Sequence, residues 1–126
     1  MKSQIGIYED ADMGIDEWDS LIYLQSEGAP SDLLDRIRPF LREFHLRRDM
    51  ADTASLGAWL IWHLAMRADV RSFSGIAIER KIRHELDFFY RISPGLVEVF
   101  RVDDLLEWRP LARIEIPCDI AEVEAR

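Results

Sequence analysis

The alternation of apolar and polar positions places short strands at the two ends of the chain and helices in its middle. Residues 4–9 set Ile5 and Ile7 on one face and Gly6 and Tyr8 on the other, the period of a strand. Residues 9–19 are acidic, broken by Gly14 and punctuated by Trp18, and predict a loop or short helix. Residues 20–25 are apolar and β-prone, so they predict a second strand that pairs with the first as a hairpin. Gly28-Ala29-Pro30 predicts a turn. A helix then follows from an N-cap at Ser31 to about residue 48, with Asp32 opposing its dipole and Leu33, Leu34, Ile37, Leu41 and Phe44 at helical spacing. Pro39 inside it predicts a kink or a split. Asp52 caps a second helix, from Thr53 to about residue 70, which holds the apolar run at residues 54–66.

Residues 75–83 are ambiguous, strand-like at Ile76-Ala77-Ile78 and helix-like beyond. Residues 86–92 alternate, with Leu86, Phe88, Tyr90 and Ile92 facing one way and Asp87, Phe89 and Arg91 the other. Ser93-Pro94-Gly95 turns the chain, and residues 97–102 return as a partner strand. Residues 103–108 predict one helical turn stopped by Pro110, and residues 113–116 a last short strand before an acidic tail. Strands flanking two central helices predict an α+β fold: a small antiparallel sheet, built from an N-terminal hairpin and a C-terminal hairpin, packed on the helices. With no internal repeat or linker, residues 1–126 form one expected domain: an acidic strand and loop region at 1–30, helices at about 31–70, a hairpin at about 85–102, and the tail.

Charge adds a second pattern. The net charge of −8 lies wholly in residues 1–35, which carry nine acids and one base. Residues 36–97 sum to +4 and residues 98–126 to −4. The apolar run at 54–66 is too short for a spanning helix, which needs about 20 residues, so no membrane role is expected. No signal peptide is evident before the acids at Glu9 and Asp10. The lone Cys118 excludes an intramolecular disulfide and fits a reducing cytosol, where an inert thiol is expected.

Candidate chemistry is sparse. His45, His63 and His84 form no metal-ligand spacing, and His63 in the apolar helix reads as a core or rim histidine. His84-Glu85-x-Asp87 is a poor ligand set, because a strand would turn His84 away from Glu85. A calcium loop starting at Asp10 fails at its fifth, sixth and twelfth positions, occupied by Gly14, Ile15 and Leu21. There is no nucleophile elbow and no phosphate-binding glycine loop. No catalytic, metal or cofactor site is therefore expected. Arg36, Arg38, Arg42, Arg47 and Arg48 could meet phosphates, but they also suffice to neutralise Asp35, Glu43 and the acidic N-terminal segment. A chain of net −8 repels a polyanion, so direct nucleic-acid binding is not expected.

At residues 25–30 and 85–92 the chain resembles a family of small proteins of bacteria and their phages, marked by a Trp-Asp-Gly-Tyr-Pro-like turn and an acid–apolar–acid–aromatic–x–Tyr–x–Ile strand. Gly28 and Pro30 match the turn, while Ser26, Glu27 and Ala29 depart from it; Glu85, Leu86, Asp87, Phe88, Tyr90 and Ile92 match the strand. The resemblance implies a fold and a phage-linked setting. A small, acidic, site-free profile of that kind is similar to that of anti-CRISPR proteins and other phage inhibitors. It implies an inhibitor that mimics the charge of DNA and blocks the positive groove of a host nucleic-acid-binding protein, such as a CRISPR surveillance complex subunit. The expected partner surface is Glu9, Asp10, Asp12, Asp16, Glu17, Asp19 and Glu27, extended by Asp103, Asp104 and Glu107; the same run also reads as the ordinary solvated surface of an acidic protein. Trp18 is either an apolar anchor in that surface or a core residue pinning the loop. The alternatives are an antitoxin-like or housekeeping interaction module using the same acidic end, and an enzyme with an unrecognised site. The sequence leaves the oligomeric state open, with a monomer favoured.

Overall fold

A computed structural model describes residues 1–25, 29–48, 52–66, 75–102 and 107–116. The elements run β1 (Ser3–Ile7), β2 (Ser20–Leu24), α1 (Pro30–Arg47), α2 (Thr53–Ala65), β3 (Ile76–Ile78), β4 (Phe88–Ser93), β5 (Leu96–Val102) and β6 (Trp108–Glu115). The class is α+β, as expected. The sheet is larger than two hairpins: six strands in the order β3-β2-β1-β4-β5-β6. It is also mixed rather than purely antiparallel. The N-terminal hairpin β1–β2 and the C-terminal hairpin β4–β5 lie side by side, joined by parallel pairing of β1 with β4 that sets Ser3 beside Phe88 and Ile7 beside Ile92.

This central seam explains why β1 and most of β4 are buried on both faces. On one face, Ile5, Ile7, Ile22, Tyr90, Ile92, Val97 and Val99 meet Leu33, Ile37, Leu41 and Phe44 of α1 and Leu56, Leu60 and Leu64 of α2. On the other, Tyr8, Leu21, Tyr23, Leu86, Phe89 and Val102 form a second cluster with neither of the described helices over it. Leu86 therefore departs from the expected alternation: it precedes β4 and joins the second cluster, opposite Tyr90 and Ile92.

Several local expectations change. Pro30 opens α1 rather than ending a turn, with Ala29 as cap; proline suits this position because its missing N–H would be unpaired there anyway. Ser31 is thus inside the first turn. Helix α1 continues through Pro39 without a split. Pro39 and Asp35, whose carbonyl loses the bond, are both exposed, so water can serve that carbonyl. Asp52 caps α2 as expected, accepting from Ser55 N at 3.3 Å. Its described end is Ala65, and residues 67–70 lie outside the described residues. The close seating of α2 on the sheet requires Gly57, where a Cβ would fall 2.7 Å from Ser20 Oγ.

Residues 75–83 contain strand β3 and no helix. Trp108 does not close a helical turn; it begins β6, which is longer than the short strand expected at 113–116. Pro110 sits in this strand without breaking it. It lies on the sheet's outer strand at a register shift, where Val99 pairs Ala112 and Phe100 pairs Pro110, leaving Leu111 as the extra residue. Edges and bulges are where a missing N–H costs a sheet least. The expected turn at 103–106 and the acidic tail with Cys118 lie outside the described residues.

A candidate acidic binding loop

The loop that joins β1 to β2 packs on the face of the sheet opposite α1 and α2. It leaves the sheet after Tyr8, whose N–H donates to Ile92 O at 2.8 Å, and returns at Asp19, whose N–H donates to Ile7 O at 2.8 Å. Two turns shape it. Asp10 Oδ1 accepts from Asp12 N at 3.0 Å, and Glu17 Oε2 accepts from Gly14 N at 3.2 Å while Glu17 N donates to Gly14 O at 2.9 Å. Met13, Ile15 and Trp18 turn inward and pack, half-buried, against the second cluster. Glu9, Asp10, Asp12, Asp16, Glu17 and Asp19 turn outward and are exposed.

The loop is fastened from below by two side chains. Arg91 of β4 is nearly buried, and its Nη2 donates to the carbonyls of Ala11, at 3.0 Å, and Met13. Its guanidinium lies over the Tyr8 ring, 4.2 Å from the centroid, and Nε is 4.0 Å from Glu98 Oε1. Tyr8 in turn donates its hydroxyl to Ile15 O at 2.7 Å. Burial pushes the Tyr8 phenol well above its ordinary range; the Arg91 charge opposes this and Asp16 adds to it. The neutral phenol is therefore held as a donor. Gly6 makes room for the pair: a Cβ there would fall 2.8 Å from Tyr8 Cε1 and 2.9 Å from Phe89 Cζ. A last tie crosses to the helices, where Thr53 Oγ1 donates to Asp19 Oδ2 at 2.7 Å.

Electrostatically, the loop holds six carboxylates and no base in residues 9–19. None of the six forms an ion pair with a described residue. Two arginines at the end of α1 have other partners: Arg47 pairs with Glu43, and Arg48, just past the helix, with Asp52. Among the described residues Arg91 meets the loop, and it engages loop backbone carbonyls rather than loop carboxylates. Sequence reasoning placed Arg91 on a strand and missed this role. The signal available was a charged residue inside an otherwise apolar strand.

The candidate residues are not all brought together. Trp18 packs into the second cluster, so the structure favours the pinning role over an exposed anchor. Asp19 is partly spent on Thr53. Glu107 lies beside Trp108, which pairs with Val102; that end of the sheet is opposite the end where the loop leaves β1. Glu27, Asp103 and Asp104 lie outside the described residues.

The segment at 79–87 packs Ile82 and Leu86 on the same face. Buried Gln4 clamps it, donating from Nε2 to Lys81 O at 3.1 Å and accepting at Oε1 from Arg83 N at 3.0 Å. His84 is exposed in a bend and not on a strand, as the sequence had suggested. Glu85 and Asp87 are engaged by Lys2, through Nζ at 3.7 Å and the backbone N–H at 2.8 Å. A depression of about 610 Å³ lies here. Among the described residues no group of three or more His, Cys, Asp or Glu is placed to hold a metal ion. No helix among them is long and apolar enough to cross a membrane.

Comparison with protein-family models, with curated proteins and with solved structures found no match to this chain. The likeness at residues 25–30 and 85–92 therefore gains no further support, and a functional reading rests on the loop itself.

Proposed function

We propose that this chain is a non-enzymatic interaction protein whose acidic loop docks into a positively charged, nucleic-acid-binding site of another protein and competes with the nucleic acid there. The observation that carries this reading is the rigid presentation of charge. Six carboxylates face solvent on a backbone tied down by Arg91 and Tyr8, and no described cation neutralises them. Preorganisation lowers the ordering cost of binding, and a one-signed surface steers a basic partner toward it. Grooves that bind phosphate by electrostatics present the complementary field. A subunit of a CRISPR surveillance complex is one partner with that chemistry.

The test is affinity capture from a bacterial extract with the native chain and with Asp10→Lys/Asp12→Lys/Asp16→Lys. The native chain should retain a basic nucleic-acid-binding protein that added duplex DNA releases, and the triple variant, folded by circular dichroism, should not retain it. Retention that survives the triple reversal, or that DNA leaves unchanged, refutes the proposal.

A further inference from the structure

Helix α2 is apolar on more faces than the core uses. Thr53–Ala65 contains no Asp, Glu, Lys or Arg. Leu56, Gly57, Leu60 and Leu64 bury one side, yet Trp59, Trp62 and Met66 remain 47%, 56% and 65% exposed. A surface helix normally carries polar residues on its outer face, so this one is built for a second contact. The two indoles meet edge to face with centroids 5.7 Å apart. Beside them a cleft of about 330 Å³ opens between the helices, walled by Phe40 and Phe44 of α1 and Trp59 of α2, with Arg47 and Arg48 at its rim. The rim arginines are already neutralised by Glu43 and Asp52.

A projecting apolar knob, Trp62, thus lies next to an aromatic-walled hole whose charged lining residues, Glu43, Arg47 and Arg48, are paired with neighbouring charges. That is the requirement for an isologous contact, in which the same patch serves both partners about a two-fold axis. We infer that this face binds a second copy of the chain, each copy's Trp62 entering the Phe40–Phe44–Trp59 cleft of the other. The charge distribution favours the same occupant. The acidic loop covers the opposite face of the sheet, so helix-to-helix apposition of two chains of net −8 keeps their strongest like charges apart. A fully buried aromatic contributes about 150–250 Å². The open parts of Trp59, Trp62 and Met66 then offer roughly 300–400 Å², about half of the ~800 Å² per partner in a standard interface. The dimer is accordingly of the weak, concentration-dependent class. It departs from the monomer that the sequence favours, and it stands whether or not the acidic loop binds a partner.

Sedimentation velocity from roughly 1 to 100 μM, the range for micromolar affinity, tests this. The native chain should pass from monomer to dimer. Trp62→Glu, with an unchanged circular dichroism spectrum because the side chain is exposed, should raise the dissociation constant about 30-fold or more, the effect of losing a central aromatic anchor. The triple reversal Asp10→Lys/Asp12→Lys/Asp16→Lys should leave dimerisation in place. Raising NaCl from about 0.05 to 0.5 M should strengthen the dimer, by screening like-charge repulsion around an apolar contact. A native chain that stays monomeric throughout overturns the inference. So does a dimer that survives Trp62→Glu, or one that salt dissolves, which would indicate acidic loop against basic helix instead.

Discussion

Replacing Arg91 with methionine should free the acidic loop while leaving the sheet folded. Methionine retains the unbranched stem and its packing on the second cluster but removes the guanidinium. Two hydrogen bonds from a charged donor to Ala11 O and Met13 O disappear. Bonds of this type contribute about 1.5–3 kcal/mol each, net of the water contacts they replace. The contact with the Tyr8 ring adds roughly 0.5–2 kcal/mol. Relief from burying a charge offsets part of the sum, since Arg91 Nε makes no hydrogen bond and its carboxylate neighbour is 4.0 Å away. A net loss of about 2–4 kcal/mol remains once the two carbonyls are left without their donor. At a typical slope near 2 kcal/mol/M, that lowers the urea midpoint by about 1–2 M. The more specific readout is native-state hydrogen exchange. The amides of Met13 and Glu17, bonded within the loop's turns, should exchange about 30-fold faster or more, at 1.4 kcal/mol per tenfold. Amides of β1 and β4 should keep their relative protection. An Arg91→Met/Glu98→Gln variant removes the stranded carboxylate and should recover part of the global stability without restoring the loop. Unchanged exchange at Met13 and Glu17, or a stability loss below about 0.5 kcal/mol, would refute the claim that Arg91 is the loop's fastener.

Gly6→Ala should destabilise the chain by about 1–3 kcal/mol, because the added methyl meets the Tyr8 and Phe89 rings at under 3.0 Å in a packed layer; an unshifted urea midpoint would show that the rings can yield. Alkaline pH should unfold the protein from about pH 10 upward. Burial raises the phenols of both Tyr8 and Tyr90, so the folded state keeps protons that the unfolded state releases above pH 10. Stability is then full below the unfolded value and falls by up to about 1.4 kcal/mol per pH unit for each tyrosine. Thermal unfolding monitored by circular dichroism between pH 8 and 12 checks this, and Tyr90→Phe should flatten the decline.

The sequence by itself determined the local elements. Helical spacing from Leu33 to Phe44 defined α1, Asp52 marked the start of α2, and alternation about Ser93-Pro94-Gly95 defined the β4–β5 hairpin. These depend on contacts within a few residues, and each leaves its own period or turn chemistry in the chain. It also located the charge, since net charge is additive and needs no fold. What it could not supply was pairing across distance. The parallel seam of β1 with β4 joins residues about 85 positions apart, and nothing near Ser3 or Phe88 marks them as neighbours. Once that seam forms, Gly6 and Arg91 become adjacent, and residues that look like a solvated face, Gln4 among them, become buried and must find partners. Arg91 finds its partners in loop carbonyls, which convert a run of acids into a fixed surface. The reason is geometric: a strand's alternation shows that a residue has a second face, but only the sheet's neighbours and covering loop decide whether that face meets water or protein.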